Sequence, residues 1–195
     1  DPSLDYADAG TESTLDMRTA IIALDRLLPA ERAVVTNCGR FMQAPWRYLH
    51  VGRAGLFQHT VNFGSIGLGL ATSIGAAVAR PDELTVVVTG DGGLMMALNE
   101  FTTAVREQLS LVVVVLNDGS YGAEWTKLAA AGLDPKHSLI AWPELAAVAE
   151  ALGGAGETAR THADLQRAAE RVRAGDLPLL IDISCDPAVD TGVLG

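Results

Sequence analysis

Cysteine is nearly absent: Cys38 and Cys185 are the only two in 195 residues. A disulfide framework needs more, and so low a count fits a reducing cytoplasm. Lysine is as scarce, with Lys127 and Lys136 alone. The 14 Lys and Arg residues face 24 Asp and Glu, a net charge of −10 with no basic run. A surface for nucleic acid or for an anionic membrane does not fit that balance. Long apolar runs are missing too. The longest near a strand, Leu111–Leu116, falls far short of the roughly 20 residues that span a bilayer. A charged segment followed by an apolar one, the mark of a secretory leader, does not occur. What is present is apolar material for a core: 49% hydrophobic residues with only 19% charged. That composition excludes a disordered or coiled-coil chain and describes an acidic, globular, cytoplasmic domain.

The first twelve residues, polar and aperiodic, read as a linker or tail, and residues 13–195 as the domain. A helix is expected from Ser13, where Leu15, Ile22 and Leu27–Leu28 recur near a 3.6 period and Pro29 stops it. Ala33–Thr36 reads as a short buried strand running into Asn37-Cys38-Gly39. Met42–Leu49 reads as a short helix, and Ser65–Ala79 as a Gly- and Ala-rich one. Leu84–Thr89 and Leu111–Leu116 are β-branched runs of the kind buried on both faces of a sheet. A helix follows the first, at about Leu94–Gln108. Helices at Pro143–Leu152 and His162–Ala174 and a strand at Pro178–Ser184 complete the pattern. Strands alternating with helices predict a parallel sheet covered on both faces.

In such sheets ligands gather at loops leaving the carboxyl ends of strands. Gly90-Asp91-Gly92-Gly93 leaves one buried strand and opens a helix. Its glycines permit close backbone approach, and the helix start offers N–H groups to an anion. A carboxylate beside such a cradle suits a cation bridging Asp91 to a phosphate oxygen. Alone, the loop is equally a tight turn whose Asp caps the helix. Asn117-Asp118-Gly119-Ser120-Tyr121-Gly122 leaves the second strand and, alone, is equally an Asn-Asp-Gly turn. Together they say more. Asp91 and Asp118 are one strand–helix–strand unit apart, so their loops should emerge side by side. Two side-chain oxygens and a backbone carbonyl would make half an octahedral Mg²⁺ site.

The stretch from Gly90 to Gly122, GDGGLMMALNEFTTAVREQLSLVVVVLNDGSYG, resembles the two-part motif of thiamine diphosphate-dependent enzymes. The similarity extends upstream to Asn62-Phe63-Gly64-Ser65-Ile66-Gly67 and covers roughly residues 14–186. It is greatest to the diphosphate-binding, C-terminal domain of the acetolactate synthase and 2-oxoacid decarboxylase group. The resemblance implies a three-layer α/β/α fold with a mostly parallel sheet of about six strands. It implies thiamine diphosphate and Mg²⁺ as cofactors, a small 2-oxo acid as substrate, and decarboxylation or carboligation as the reaction. Asp91, Asp118 and the carbonyl of Ser120 would hold the metal. Gly92 and Gly93 would meet the diphosphate, Gly64 and Ser65 the aminopyrimidine side, and Ile66 would prop the bent cofactor. Cys38, Gly39 and Tyr121 complete the expected cofactor site. Many members carry Asn where Asp118 stands. In this register Asn117 should face inward and bond loop backbone.

The activating glutamate of these enzymes lies on a separate pyrimidine-binding domain, and the chain holds one domain of this kind. The partner domain is therefore expected in the same or another chain, within a homo-oligomer, and this chain alone should lack turnover. Two other readings stand beside this one. Gly64–Gly69 suggests a nicotinamide- or flavin-binding Rossmann domain, but Leu84 and Thr85 stand where the acidic ribose anchor belongs. A non-catalytic remnant of the same fold would carry the same ligand motif. His59 reads as structural or surface, Glu124 as solvated or packed, Cys38 as a small loop residue, and Trp46, Trp125 and Trp142 as packing or interface residues.

Overall fold

The structure, a computed structural model, describes residues 6–189. Residues 1–5 of the expected linker lie outside them. Among the described residues, six strands form one sheet: β1 (Arg32–Thr36), β2 (Phe57–His59), β3 (Leu84–Gly90), β4 (Leu111–Asn117), β5 (Ala155–Ala159) and β6 (Leu179–Ser184). Their order is β2-β1-β3-β4-β6-β5, and every pairing is parallel. The α-helices are α1 (Met17–Leu27), α2 (Gln43–Tyr48), α3 (Gly69–Ala79), α4 (Asp91–Met95), α5 (Phe101–Arg106), α6 (Gly122–Ala130), α7 (Leu145–Ala151) and α8 (His162–Arg173).

The two-residue side-chain period of a strand divides the core in two. Val112, Val114 and Leu116 of β4 face α1, α2 and α8, packing with Ile21, Leu24, Tyr48 and Leu165. Leu111, Val113 and Val115 face the other way, onto Leu70 of α3, Leu94 of α4, Phe101 of α5 and Leu145 of α7. β3 and β6 split the same way, with Val87 and Leu180 in the second cluster and their neighbours in the first. Because both faces are covered, these strands read in sequence as continuous apolar runs rather than alternating ones. Helix ends are fixed locally. The Asp16 side chain caps α1 by accepting from Arg18 N at 2.9 Å, and Thr161 and Asp164 form a capping box on α8.

The strand order departs from the 3-2-1-4-5-6 order of the dinucleotide-binding fold. β1 lies between β2 and β3, so the chain leaves it in one direction and returns on the other side. That reversal opens a crevice at the carboxyl ends of β1 and β3, where open α/β sheets bind their ligands. The loops after β1, β3 and β4 all start there. Register places Gly90 opposite Leu116, so Asp91 and Asp118 follow adjacent strand ends.

Several expected elements are corrected. The α3 helix begins at Gly69 rather than Ser65, because Phe63 and Gly64 turn through left-handed backbone (φ 59° and 65°) ahead of it. The Leu94–Gln108 helix is two α-helical pieces, interrupted where Ala97 adopts φ −138°. Its apolar period survives the break because Leu94, Phe101 and Ala104 all face the second core. The α1 helix starts at Met17, and α7 starts at Leu145, two residues after Pro143. Strands β2 and β5 and helix α6 were not foreseen. Both strands are sheet edges, short and partly polar, and carry no β-branched run. Around β5, Arg171 donates to the Gly156 carbonyl and Arg167 pairs with Glu157 at 3.1 Å, so charge guards that edge.

Behind the Asp118 turn, Asp182 of β6 is buried and accepts twice: from Asn117 Nδ2 at 2.9 Å and from the Leu145 N–H, at the start of α7, at 3.1 Å. Substitution Asp182→Ala leaves two buried donors without partners and should lower stability by about 2–4 kcal/mol. For a chain of this length that is a fall in Tm of roughly 5–12 °C, measurable by calorimetry.

Candidate functional site

Loops from three strand ends and from the segment before α3 converge on one narrow cleft. Asn37, buried just after β1, fastens the β1 loop to β3 and to the segment before α3. Its Nδ2 donates to Thr89 Oγ1 at 3.0 Å, and its Oδ1 accepts from Cys38 N at 2.9 Å and Gly67 N at 3.2 Å. Close approach here demands glycine. A Cβ on Gly93 would meet Asn37 Nδ2 at 2.7 Å, and one on Gly92 would meet the Tyr121 ring at 2.7 Å.

Asp91 and Asp118 both line the cleft and both are buried. Burial and the neighbouring charge of Asp118 raise the pKa of Asp91 to about 6. Its main counterweight is the Trp142 indole, whose Nε1–H donates to Oδ2 at 2.6 Å. Asp118 is also raised by burial, against hydrogen bonds from Ser120 and the charge of Arg40. Its Oδ1 accepts from Ser120 N at 3.0 Å and Ser120 Oγ at 2.7 Å, and its Oδ2 meets Arg40 Nη2 at 3.1 Å. Asn117 turns away, its Oδ1 accepting from Gly119 N at 3.1 Å and its amide reaching Asp182.

Of the residues expected from sequence, Cys38, Gly39, Ile66, Asp91, Gly92, Gly93, Asp118, Ser120 and Tyr121 line this cleft. Gly64 lines an adjoining, wider recess, together with Lys127 and the shared Ile66 and Glu124. Ser65 lies on the loop between and lines neither. Burial and Glu124 raise the Cys38 thiol, which keeps it protonated and unlike a nucleophile. His59 is exposed at the end of β2, its ring against Trp46 and Phe57. Sequence reasoning missed Asn37, Arg40 and Trp142 as site residues. Asn37 and Arg40 sit in a loop that strand-end position already marks, whereas nothing local in Ala141-Trp142-Pro143 says which way the indole turns.

Among the described residues no three His, Cys, Asp or Glu side chains cluster as a metal cage. Two carboxylates and a turn carbonyl do suit a hard cation that takes its remaining oxygens from phosphate and water. The like-charge pair, held in place by neutral donors and one arginine, is a donor set that a divalent cation would relieve. The residues fit such a group.

Fold and cleft together define an α/β protein with a ligand crevice at its topological switch point. Residues 37–183 match the family profile "Thiamine pyrophosphate enzyme, C-terminal TPP binding domain", and the chain belongs to this family. It is 31% identical over 167 residues to the acetolactate synthase large subunit IlvG of Mycobacterium tuberculosis, across 85% of this chain and 30% of that protein. With the acetolactate synthase isozyme 2 large subunit of Escherichia coli it shares 30% identity over 162 residues, 81% of this chain and 29% of that one. In fold it is similar to the thiamine diphosphate-dependent 4-hydroxybenzoylformate decarboxylase of Rhodococcus jostii, at TM-score 0.81 and 23% identity, over 93% of this chain and 34% of the other. The chain thus spans about 30% of the length of these curated relatives. The dinucleotide-binding alternative is set aside by the family match and the strand order.

Raising a carboxyl's pKa in the folded chain makes the folded state bind the extra proton, so stability is present below the ordinary pKa and lost as pH rises. For Asp91 the window runs from near 3.8 to about 6. The loss is about 3 kcal/mol for a shift of this size. Without ligand, Asp91→Asn should therefore be more stable than the parent at pH 7, with the difference vanishing near pH 4. Denaturant melts of both chains across that range measure it.

Proposed function

We propose that the chain binds thiamine diphosphate with Mg²⁺ as the diphosphate-binding domain of an acetolactate synthase-like carboligase or 2-oxoacid decarboxylase. The observation that carries the reading is the buried Asp91–Asp118 pair at the carboxyl ends of adjacent strands. Asp91, Asp118 and the Ser120 carbonyl would hold the metal. The backbone of Gly92 and Gly93 would meet the diphosphate, with Cys38, Gly39 and Tyr121 beside it. Gly64, Ser65 and Ile66 would meet the organic part of the cofactor, at the mouth where the wider recess begins. The bound cofactor supplies carbanion-stabilising chemistry toward a small 2-oxo acid. The protein's own part is to orient, to neutralise phosphate charge through the metal, and to exclude water from the buried end of the cleft.

A pyrimidine-binding domain, in the same or another chain, would supply the activating glutamate, within a homo-oligomer. Exposed apolar residues support such a partner. Ile66 lines the cleft at 40% exposure, Met96 lies against Gly67 at 53%, and Phe63 and Leu68 flank Ile66 in sequence, all uncovered. Apolar groups gathered beside a cleft mark an interaction surface. Two free cysteines agree with a cytoplasmic setting. Among the described residues no helix is long and apolar enough to cross a membrane.

Thermal unfolding with millimolar thiamine diphosphate and Mg²⁺ tests the reading. At a hundredfold excess over Kd, stabilisation should reach about 2.7 kcal/mol. That corresponds to a rise of roughly 5–10 °C, which NAD⁺ should not produce. Asp118→Asn should keep the effect, and Asp118→Ala should raise Kd at least about tenfold, or 1.4 kcal/mol. Stabilisation by NAD⁺ and none by thiamine diphosphate would contradict the proposal.

A further inference from the structure

One segment, residues 135–142, touches both halves of the cleft's acidic pair. Tyr121 N donates to Ser138 O at 2.8 Å, Ile140 N donates to Gly119 O at 2.7 Å, and Ser120 and Leu139 form an isolated antiparallel bridge. These bonds pin the Asp118 turn from outside. Two residues further on, Trp142 donates its indole N–H to Asp91 Oδ2 at 2.6 Å. The chain then enters α7, whose first N–H is held by buried Asp182, the residue that also holds Asn117.

We propose that Trp142 is a positioning residue for the cation site, fixing the rotation of the Asp91 carboxylate. The inference rests on the reading of Asp91 as a metal ligand. Indole N–H is a donor only, so it can approach the carboxylate in one sense. A hydrogen bond to a charged acceptor at this distance is of the stronger kind, about twice a neutral one. It occupies Oδ2 and thereby limits how the carboxylate can present itself to the cleft. The ring itself is fixed by packing against the second core. The same short segment thus sets the Asp118 turn through backbone and the Asp91 side chain through one indole. Groups that orient a metal ligand typically carry about 10–100-fold in metal affinity.

Calorimetric titration with Mg²⁺ at saturating thiamine diphosphate, on the parent chain, Trp142→Phe and Trp46→Phe, tests this. Phenylalanine keeps the packing and removes the donor. Half-saturating Mg²⁺ should rise about tenfold or more in Trp142→Phe. At saturating Mg²⁺ its affinity for thiamine diphosphate should stay within about threefold of the parent, since the indole orients the metal ligand and not the cofactor. Trp46, whose indole donates to Thr36 Oγ1 at 3.0 Å, stands outside the cleft and should change neither value. A second measurement covers the case in which Trp142→Phe does not fold. In a Trp46→Phe, Trp125→Phe double variant, Trp142 is the remaining indole, and its emission should shift as Mg²⁺ and cofactor bind. Half-saturation in Trp142→Phe within twofold of the parent overturns the proposal alone, as does a flat emission during binding. If the parent chain shows no Mg²⁺-dependent binding, the proposed function falls and the role of Trp142 with it.

Discussion

Two carboxylates buried next to one another repel, and this pair is carried on the ends of two neighbouring central strands. β3 and β4 pair along six register positions up to Gly90 and Leu116, so the turns that carry Asp91 and Asp118 start side by side. The two acids meet the strain differently. Asp118 has a cation, Arg40, and both Ser120 donors. Asp91 has a neutral indole as its side-chain partner, and its pKa climbs to about 6. A proton relieves the pair at low pH. At neutral pH the arrangement is suited to a divalent cation, whose charge would stabilise both acids at once.

Most of the remaining structure bears on keeping that pair in register. The strand order makes β1, β3 and β4 neighbours whose carboxyl ends open on one crevice. Asn37 ties the β1 loop to β3 and to the loop before α3, and Asp182 ties the β4 turn to α7. Arg40 answers the charge of Asp118. Its guanidinium also donates to Pro187 O at 2.8 Å and Thr126 Oγ1 at 3.4 Å, binding α6 and the chain's last described turn to the cleft. With Arg40 present, the Asp118 turn retains a local charge close to that of an Asn-containing one.

The central strands were legible because burial on both faces leaves an unbroken β-branched run, as in Leu111–Leu116. The acidic pair was legible because strand ends and glycine turns are marked by residue type. β2 and β5 were not, since an edge strand is stabilised by pairing on one side and carries mixed residues such as Ala-Gly-Glu-Thr-Ala. Helix α6 was hidden because none of its residues is buried, so no apolar stripe is required of it. Trp142 and Arg40 were missed for a common reason. Their roles depend on side-chain direction across about 50 and 80 residues of chain, which local pattern does not encode. Asn117 bonds Gly119 N and stays out of the cleft, while Asp118 lines it.

The central claim is that Asp91 and Asp118 jointly receive a divalent cation. Crystals grown with Mn²⁺ and thiamine diphosphate, measured at the manganese edge, test it most directly. The account predicts one anomalous peak between the two carboxylates, within bonding distance of both and of the Ser120 carbonyl, with Asn117 still on Asp182. A peak bound through the Asn117 side chain, or cofactor density with Asp118 turned to solvent, would contradict it.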